Sequence, residues 1–174
     1  MTSVDQHTIG EAVLAEGRRR LRVCAERVRH CVQQLDDTQL WWRPHEEMNS
    51  IANILLHLCG NLRQWVIAGV AETPDTRDRP REFAERGPIA KTELWRRFEE
   101  AVGKADATLA EFDASRLLEP RRIQGFDETV LSAIADSLAH LAGHTQEIIY
   151  ITRWQLGPRY QFHWRPASAE QGAG

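Results

Sequence analysis

The first half of the chain contains a long segment whose apolar residues recur every three or four positions. Between these positions the chain carries mostly arginine and glutamate. Intervals of three and four residues keep side chains on one side of an α-helix, so the segment is predicted to be an amphipathic helix that packs into a bundle. The small or apolar residues that form this face, called the seam below, are Leu14, Gly17, Leu21, Cys24, Val28, Cys31 and Leu35.

Two further helices are predicted after a break at residues 36–44. Asn49 and Ser50 form a good N-cap pair, and apolar residues follow at helical spacing as far as Gly69, which predicts a second helix over about 50–69. A third helix is predicted over about 90–112. Its apolar face comprises Leu94, Trp95, Phe98, Ala101, Val102, Ala105, Leu109 and Phe112.

The connection over residues 70–89 has a different composition. It holds three prolines, Gly87 and a dense set of charges, and it shows no periodicity. Connections longer than about 12–15 residues without secondary structure are uncommon inside compact domains. This one is therefore expected to be either a functional flap or a floppy tether.

A fourth helix is predicted near the C-terminus. A short extended piece around Gly125 leads to Thr129, which can cap a helix that runs to about Leu156 and stops at Gly157. Four helices without convincing strand alternation or an internal repeat predict an all-α fold, an up-and-down four-helix bundle. We expect one bundle domain over residues 1–158.

The last residues, 159–174, are predicted to be a C-terminal tail. Its first part contains Tyr160, Phe162 and Trp164, which are expected to pack against the bundle. Its end is rich in small and polar residues and is expected to be disordered.

Composition and charge narrow the class of protein. A chain of 174 residues with 42% hydrophobic residues is long enough for one domain with a buried core. A formal net charge of −3 argues against nucleic acid or an anionic membrane surface as a partner. The three cysteines are an odd number within predicted helices, and no apolar run approaches the roughly 18 residues that span a bilayer. The protein is expected to be cytoplasmic, with reduced thiols.

The fourth predicted helix carries a polar stripe that can bear chemistry. Asp136, His140, His144 and Glu147 follow one another at intervals of four, four and three residues, so all four project from one face among apolar neighbours. Two histidines one turn apart can chelate one divalent ion, with the remaining ligands coming from other elements.

The second predicted helix has a similar polar stripe, formed by Asn53, His57, Asn61 and Gln64. His57 is the histidine of this helix and a candidate third ligand. The alternative interpretation is structural: each histidine is an interior residue that is hydrogen-bonded to Asp136 or to an asparagine.

Several sequence blocks resemble the DinB superfamily, more narrowly a bacterial branch long known as a domain of unknown function. The blocks are HEEMNSIANILLHLCGN (45–61), TRDRPREF (76–83) and IQGFDETVLSAIADSLAHLAGHTQEIIYI (123–151). The resemblance spans about residues 20–156. It implies a four-helix bundle, frequently dimeric, with a metal site of three histidines that correspond here to His57, His140 and His144.

Two features depart from the pattern of that family. Glu147 stands where the family usually has glutamine, so a carboxylate lies one turn beyond His144. Glu147 is a candidate metal ligand, acid–base group or hydrogen-bond partner of a ligand, and Asp136 is a second candidate partner. The alternative for Glu147 is a solvated side chain near the end of the bundle that pairs with Arg153 or another base. The flap block 76–83 carries extra residues, which weakens any inference about substrate contacts there.

A three-histidine site leaves a coordination position open, as in catalytic rather than structural zinc sites. We expect zinc or nickel, with iron or manganese next, and a small-molecule substrate. The resemblance adds a low-molecular-weight thiol as cosubstrate, and implies a homodimer and a metal-dependent S-transferase or hydrolase. The alternative is a non-catalytic, stress-related bundle in which the metal is structural or absent. A ferritin-like di-metal site is excluded, because the chain lacks the Glu-x-x-His motif that it requires.

Overall fold

The computed structural model describes residues 6–164, and most of them are helical. The helices are α1 (Gln6–Gln34), α2 (Asp37–Trp41), α3 (Ile51–Ala71), α4 (Arg79–Ala84), α5 (Lys91–Glu111) and α6 (Val130–Leu156). Two short strands, β1 (Pro120–Ile123) and β2 (Phe126–Thr129), form an antiparallel hairpin before α6. Single 3-10 turns lie at Ala114–Arg116 and Gly157–Arg159.

The long helices pack against one another through the predicted apolar faces. α1 contacts α5 and α6, and α3 contacts the same two helices. The predicted seam of α1 is confirmed, since all seven of its residues are buried. Arginines on the outer face of α1 pair with acids: Arg18 and Arg22 bind Asp106 of α5, and Arg19 binds Glu16. The arginine run therefore belongs to the solvated face.

α3 is the most enclosed of these helices. Most of its positions are buried, and after Asn61 it widens into a π-helical stretch, Leu62–Ala68, before a last turn, Gly69–Ala71. By length and mean hydropathy of 1.2 it is the one helix of residues 6–164 that could cross a membrane, but 67% of that window is buried within the fold. A core helix of a soluble protein has this pattern.

The predicted helix starts are correct where capping residues mark them. Ser50 accepts a hydrogen bond from the backbone N–H of Asn53, and Thr129 accepts one from Ser132, each in a reciprocal capping box. A third capping box at Asp36 begins α2 within the region expected to be only a break. This helix of five residues is too short to show a period in the sequence.

The hairpin corrects the expectation that the chain lacks strands. The extended piece before Thr129 folds back on itself, with Arg121 opposite Glu128. Its two turn residues, Gln124 and Gly125, both have positive φ, as a type I′ turn requires. The buried positions of β1 are Arg121 and Ile123, one polar and one apolar, so the sequence of these four-residue strands shows no clear apolar alternation and did not predict their pairing.

The connection between α3 and α5, residues 72–90, is called the strap below. It is not the floppy tether that was one of its two expected forms, because it contains α4 and packs against α3. Asp78 caps α4 by accepting a hydrogen bond from the backbone N–H of Arg81, and Pro80 occupies its first turn.

The predicted tail is described as far as Trp164. Tyr160 packs against the core, and Gln34 of α1 accepts a hydrogen bond from the backbone N–H of Gln161. Phe162 and Trp164, which were expected to pack, are 45% and 71% exposed. The end of the tail, predicted to be disordered, lies outside the described residues.

Candidate metal centre

The three histidines singled out from the sequence lie together between α3 and α6. His57, His140 and His144 each offer one ring nitrogen, and these nitrogens lie within 4.8 Å of one another. The Nε2 atoms of His57 and His140 are 2.8 Å apart. Two ligand atoms held about 2.1 Å from a tetrahedral zinc ion lie roughly 3.4 Å apart, so the spacing is close to that of a coordination sphere.

The packing of α3 on α6 explains this convergence. His57 is buried on α3, whereas His140 and His144 occupy successive turns of α6 and are partly exposed. The ring centroids of the α6 pair are 4.5 Å apart, and His57 faces both rings edge-on at 4.9 and 5.2 Å. The cluster thus has a buried side on α3 and a side open to solvent.

Glu82 of α4 fixes the orientation of His57. Its Oε2 atom lies 2.9 Å from Nδ1 of His57, on the edge of the ring opposite the histidine cluster. A carboxylate accepts and does not donate, so the contact with Glu82 places the ring proton on Nδ1 and directs the Nε2 lone pair at the other two histidines. Nη2 of Arg77 also lies 3.1 Å from Nδ1, and with this tautomer it donates to Glu82 at 2.9 Å instead. This arrangement of carboxylate, histidine and metal is common around protein metal sites.

Arg77 holds Glu82 in place. Its Nε donates to Oε1 of Glu82 at 2.7 Å, and its Nη2 donates to Oε2 at 2.9 Å, which makes a bidentate pair. The Arg77 side chain is only 3% exposed. Burial alone would raise the pKa of Glu82, but the hydrogen bonds from Arg77 and His57 outweigh it and lower this pKa. Glu82 is therefore ionised.

Gly60 allows this ion pair to reach α3. A Cβ atom at Gly60 would overlap the Glu82 carboxylate and would approach Nε of Arg77 to 2.8 Å. Gly60 lies one turn after His57 on the face of α3 that receives the strap. A side chain at this position would have to push the carboxylate away from His57.

The rest of the polar stripe of α3 binds the strap and α6. Asn53 donates from Nδ2 to the carbonyl oxygens of Glu82 and Glu85, and Gln64 both donates to Asp75 and accepts from Arg77. Asn61 accepts a hydrogen bond from the Ser137 hydroxyl of α6. The stripe predicted from the sequence is therefore mainly the docking surface of the strap.

Glu147 is the partner of His144. Its Oε2 atom lies 2.7 Å from Nδ1 of His144, and its side chain is 41% exposed. The alternative pairing with Arg153 is wrong, because that guanidinium instead lies over the rings of Tyr160 and Phe162. Two of the three histidines thus have a carboxylate on Nδ1, which directs Nε2 toward the cluster.

Asp136 does not serve as the partner of a histidine. It is exposed, and within residues 6–164 it makes no hydrogen bond to His57, His140 or His144. It lines a cavity of about 280 Å³ together with His57 and His140. The expectation that Asp136 orients a histidine is therefore not met, and its place is in the wall of the cavity.

The charge state of His140 suits a cation. Burial, together with the neighbouring charges of His144, His57, Arg77 and Arg79, lowers the pKa of His140 to about 4. A neutral imidazole keeps the lone pair that a metal ion needs. The donor set of three imidazoles, two of them oriented by carboxylates, fits a divalent transition metal with an open coordination position.

Sequence reasoning missed Glu82 and Arg77, the two strap residues that support His57. Both fall inside the block 76–83 that carries part of the family resemblance, and this block is the signal that could have identified them. Cys59 is buried on α3, two residues after His57. Burial raises the pKa of its thiol to about 12, so it is not a ready ligand.

The fold and the site define the class: a mostly helical protein with a three-histidine group that could hold a divalent metal ion. The chain belongs to DUF1572, a family of proteins of unknown function, whose family model matches residues 8–164. No curated protein matches the chain.

Proposed function

We propose that the protein is a metal-dependent enzyme in which His57, His140 and His144 hold one divalent ion. The observation that carries the proposal is the convergence of three ring nitrogens within 4.8 Å beside a cavity, with Glu82 and Glu147 on the far edges of two of the rings. Structural zinc sites usually use four protein ligands, whereas three leave a position for a reactant.

When bound, the ion would lower the pKa of a coordinated thiol or water and supply a nucleophile at neutral pH. Carboxylates of the chain would orient the histidines that hold the ion. Glu82, which Arg77 holds in place, keeps the proton of His57 on Nδ1, and Glu147 does the same for His144. Glu147 is also the candidate acid–base group, because its partly exposed carboxylate can exchange a proton with solvent.

The proposal includes the wider expectations from the sequence. We place the family within the DinB superfamily and propose that the four long helices form one up-and-down bundle, supported by the packing of α1 and α3 against both α5 and α6. The proposed reaction transfers a low-molecular-weight thiol to a small electrophile, or hydrolyses a small substrate, in the cytoplasm. Zinc or nickel is the ion we propose first, and iron or manganese next.

Elemental analysis of protein purified without a histidine tag tests the site. We expect one equivalent of a divalent ion in the wild-type protein and less than a tenth of an equivalent in the double variant His140→Ala, His144→Ala. His45→Ala is the matched control, because His45 lies exposed in the loop before α3. A full equivalent in the double variant would overturn the proposed site.

Turnover separates an enzyme from a protein whose metal is only structural. The metal-loaded protein is incubated with a panel of thiols and a chromogenic electrophile, and separately with chromogenic esters and amides. We expect the wild-type protein to consume the thiol or hydrolyse the substrate, and the double variant to do neither. The activity of the wild-type protein should be lost when a chelator removes the metal and should return when the metal is added back. Stoichiometric metal without any turnover would favour the non-catalytic alternative.

A further inference from the structure

The cavity beside His57 and His140 is bordered by charged groups that the metal site does not use. Its walls come from α3, the strap, the hairpin turn and α6. Arg79 lies on the strap side, and Asp136 lies on α6. A cavity of about 280 Å³ with an open side accommodates a small molecule, and its charged walls restrict which small molecule.

Arg79 lies beside an aromatic contact that leads to His57. The ring of Phe83 lies 4.8 Å from the ring of His57, and the guanidinium carbon of Arg79 lies 5.0 Å from the ring of Phe83. A guanidinium held over an aromatic face keeps its N–H groups free to donate at its edges. Arg79 is thus held one aromatic ring away from a proposed metal ligand.

Arg79 differs from two other arginines of the strap, Arg77 and Arg86, in what it binds. Arg77 donates hydrogen bonds to Glu82 and Gln64, and Arg86 donates to backbone carbonyl oxygens of its own segment. Within the described part of the chain, Arg79 has no carboxylate or carbonyl partner, and it does not pair with Asp136 although both line the same cavity. Its N–H groups are available to a ligand.

We propose that the substrate or cosubstrate carries a carboxylate that binds Arg79 while its reactive end reaches His57 and His140. This inference rests on the proposed metal function and names the substrate class for it. A single free guanidinium that shares its cavity with Asp136 matches one negative charge better than the two charges of a phosphate monoester. Arg79 is then the residue that selects acidic over neutral small molecules.

The test uses protein loaded with cobalt(II) and two thiols of equal length, 3-mercaptopropionate and its neutral amide, 3-mercaptopropanamide. Thiolate binding is followed by the thiolate-to-cobalt absorption, and the cobalt content of every protein is measured separately. The measured quantity is the ratio of the two dissociation constants within one protein, so the intrinsic difference between the thiols is the same for every variant.

In the wild-type protein the carboxylate thiol is expected to bind about ten-fold tighter than the amide, the effect of one charge-assisted hydrogen-bonded pair at a half-open site. Arg79→Gln should remove this preference without changing the cobalt content. Arg81→Gln is the matched control, since Arg81 is equally exposed on the same helix but lines a different cavity. It should keep the preference.

Asp136→Asn should change the ratio of the two dissociation constants in the opposite direction to Arg79→Gln. Removing the negative charge from the same cavity should increase the preference for the carboxylate thiol by a few-fold, most clearly at low ionic strength. An unchanged ratio in this variant, or an equal loss of preference in Arg79→Gln and Arg81→Gln, would overturn the inference. The second result would mean that the attraction comes from the general charge of the strap.

The controls also separate this inference from the proposed function. Wild-type protein that holds a full equivalent of cobalt but binds both thiols equally, or binds neither, overturns the role of Arg79 and leaves the metal site standing. Wild-type protein that takes up no cobalt or other divalent ion overturns the proposed function and this inference together.

Discussion

Glu82 lies 2.9 Å from Nδ1 of His57, although the two residues are 25 positions apart in the sequence. The contact joins the strap to the most buried histidine of the candidate metal centre. Any change that moves the strap must therefore change the orientation of a ligand, and by thermodynamic linkage a bound ion must stabilise the docked strap. The predictions for Glu82 and Gly60 test this coupling by disturbing the strap.

Replacing Glu82 by glutamine should weaken both the fold and metal binding. The variant leaves the buried guanidinium of Arg77 without a counter-charge, and breaking a buried ion pair costs about 3 kcal/mol or more of the free energy of unfolding. Loss of the carboxylate behind a metal-ligating histidine lowers metal affinity by roughly 10–100-fold. Urea denaturation and competition with a chelator measure the two effects.

Glu46→Gln is the matched control for this variant, because Glu46 is exposed in the loop before α3. It should change neither the unfolding midpoint nor the metal affinity. If Glu82→Gln behaved like this control, Glu82 would have no part in supporting His57.

Replacing Gly60 by alanine should undock the strap without removing any polar group. The added methyl group would occupy the position of the Glu82 carboxylate, so the carboxylate must move away from His57. We expect faster tryptic cleavage within the strap and a loss of metal affinity similar to that of Glu82→Gln. Limited proteolysis followed by mass spectrometry identifies the cleaved bonds.

Gly103→Ala supplies the comparison for this prediction. Gly103 lies on α5, and a Cβ atom there meets nothing within 4 Å. Alanine in an exposed helix position stabilises by up to about 1 kcal/mol relative to glycine, so this variant should be as resistant to trypsin as the wild type. Equal resistance of Gly60→Ala and Gly103→Ala would contradict the proposed fit of Glu82 against α3.

The helices and the three histidines could be predicted because their signals are local or periodic. The seam from Leu14 to Leu35 repeats along α1, Ser50 and Thr129 mark helix starts, and the pair His140 and His144 is visible as one turn of a helix. His57 required the resemblance to a family in addition to its place on a polar stripe. Each of these signals depends on residues close together in the sequence.

The supporting contacts could not be predicted in this way. The pairing of Glu82 with His57, and of Arg77 with Glu82, depends on how an irregular segment folds back on α3, and no period in residues 72–90 records that path. The polar stripe containing Asn53 identified the correct face of α3, but most of its residues bind the strap and only His57 belongs to the histidine cluster. A polar side chain on a buried face indicates that it has a partner without showing which partner. The hairpin was missed because each strand has only four residues.

The homodimer that the family resemblance implies leads to a prediction about exposed aromatic residues in the C-terminal half of α6. Tyr150 and Trp154 are 68% and 58% exposed, and the ring of Trp154 contacts that of Trp42 edge-on. Large exposed apolar groups in one cluster are typical of an interface. We expect a mass of twice 19.9 kDa by light scattering at micromolar concentration, and the monomer mass for Trp154→Glu.

Tyr150→Glu should have the same effect if the cluster forms the interface, and Phe126→Glu serves as a control at an exposed aromatic residue of the hairpin. A wild-type mass of one chain throughout the concentration range would rule out the dimer. A dimer that persists in both Trp154→Glu and Tyr150→Glu would place the interface elsewhere.

Substitutions at Glu147 should distinguish an orienting hydrogen bond from a catalytic charge. Glutamine keeps an oxygen that can accept the proton of Nδ1 of His144, so Glu147→Gln should lose less than about ten-fold in metal affinity, whereas Glu147→Ala, which removes the acceptor, should lose more. If Glu147 also moves a proton during the reaction, Glu147→Gln should lower kcat far more than it lowers metal affinity, because an amide cannot act as a general base. Chelator competition and steady-state kinetics on the same metal-loaded samples provide both measurements.

Arg153→Gln is the control for the Glu147 variants. Arg153 lies further along α6 and contacts Tyr160 and Phe162 but not Glu147, so this substitution should change neither the metal affinity nor kcat. Equal metal affinity and equal kcat in the wild type, Glu147→Gln and Glu147→Ala would show that the contact with His144 serves neither role.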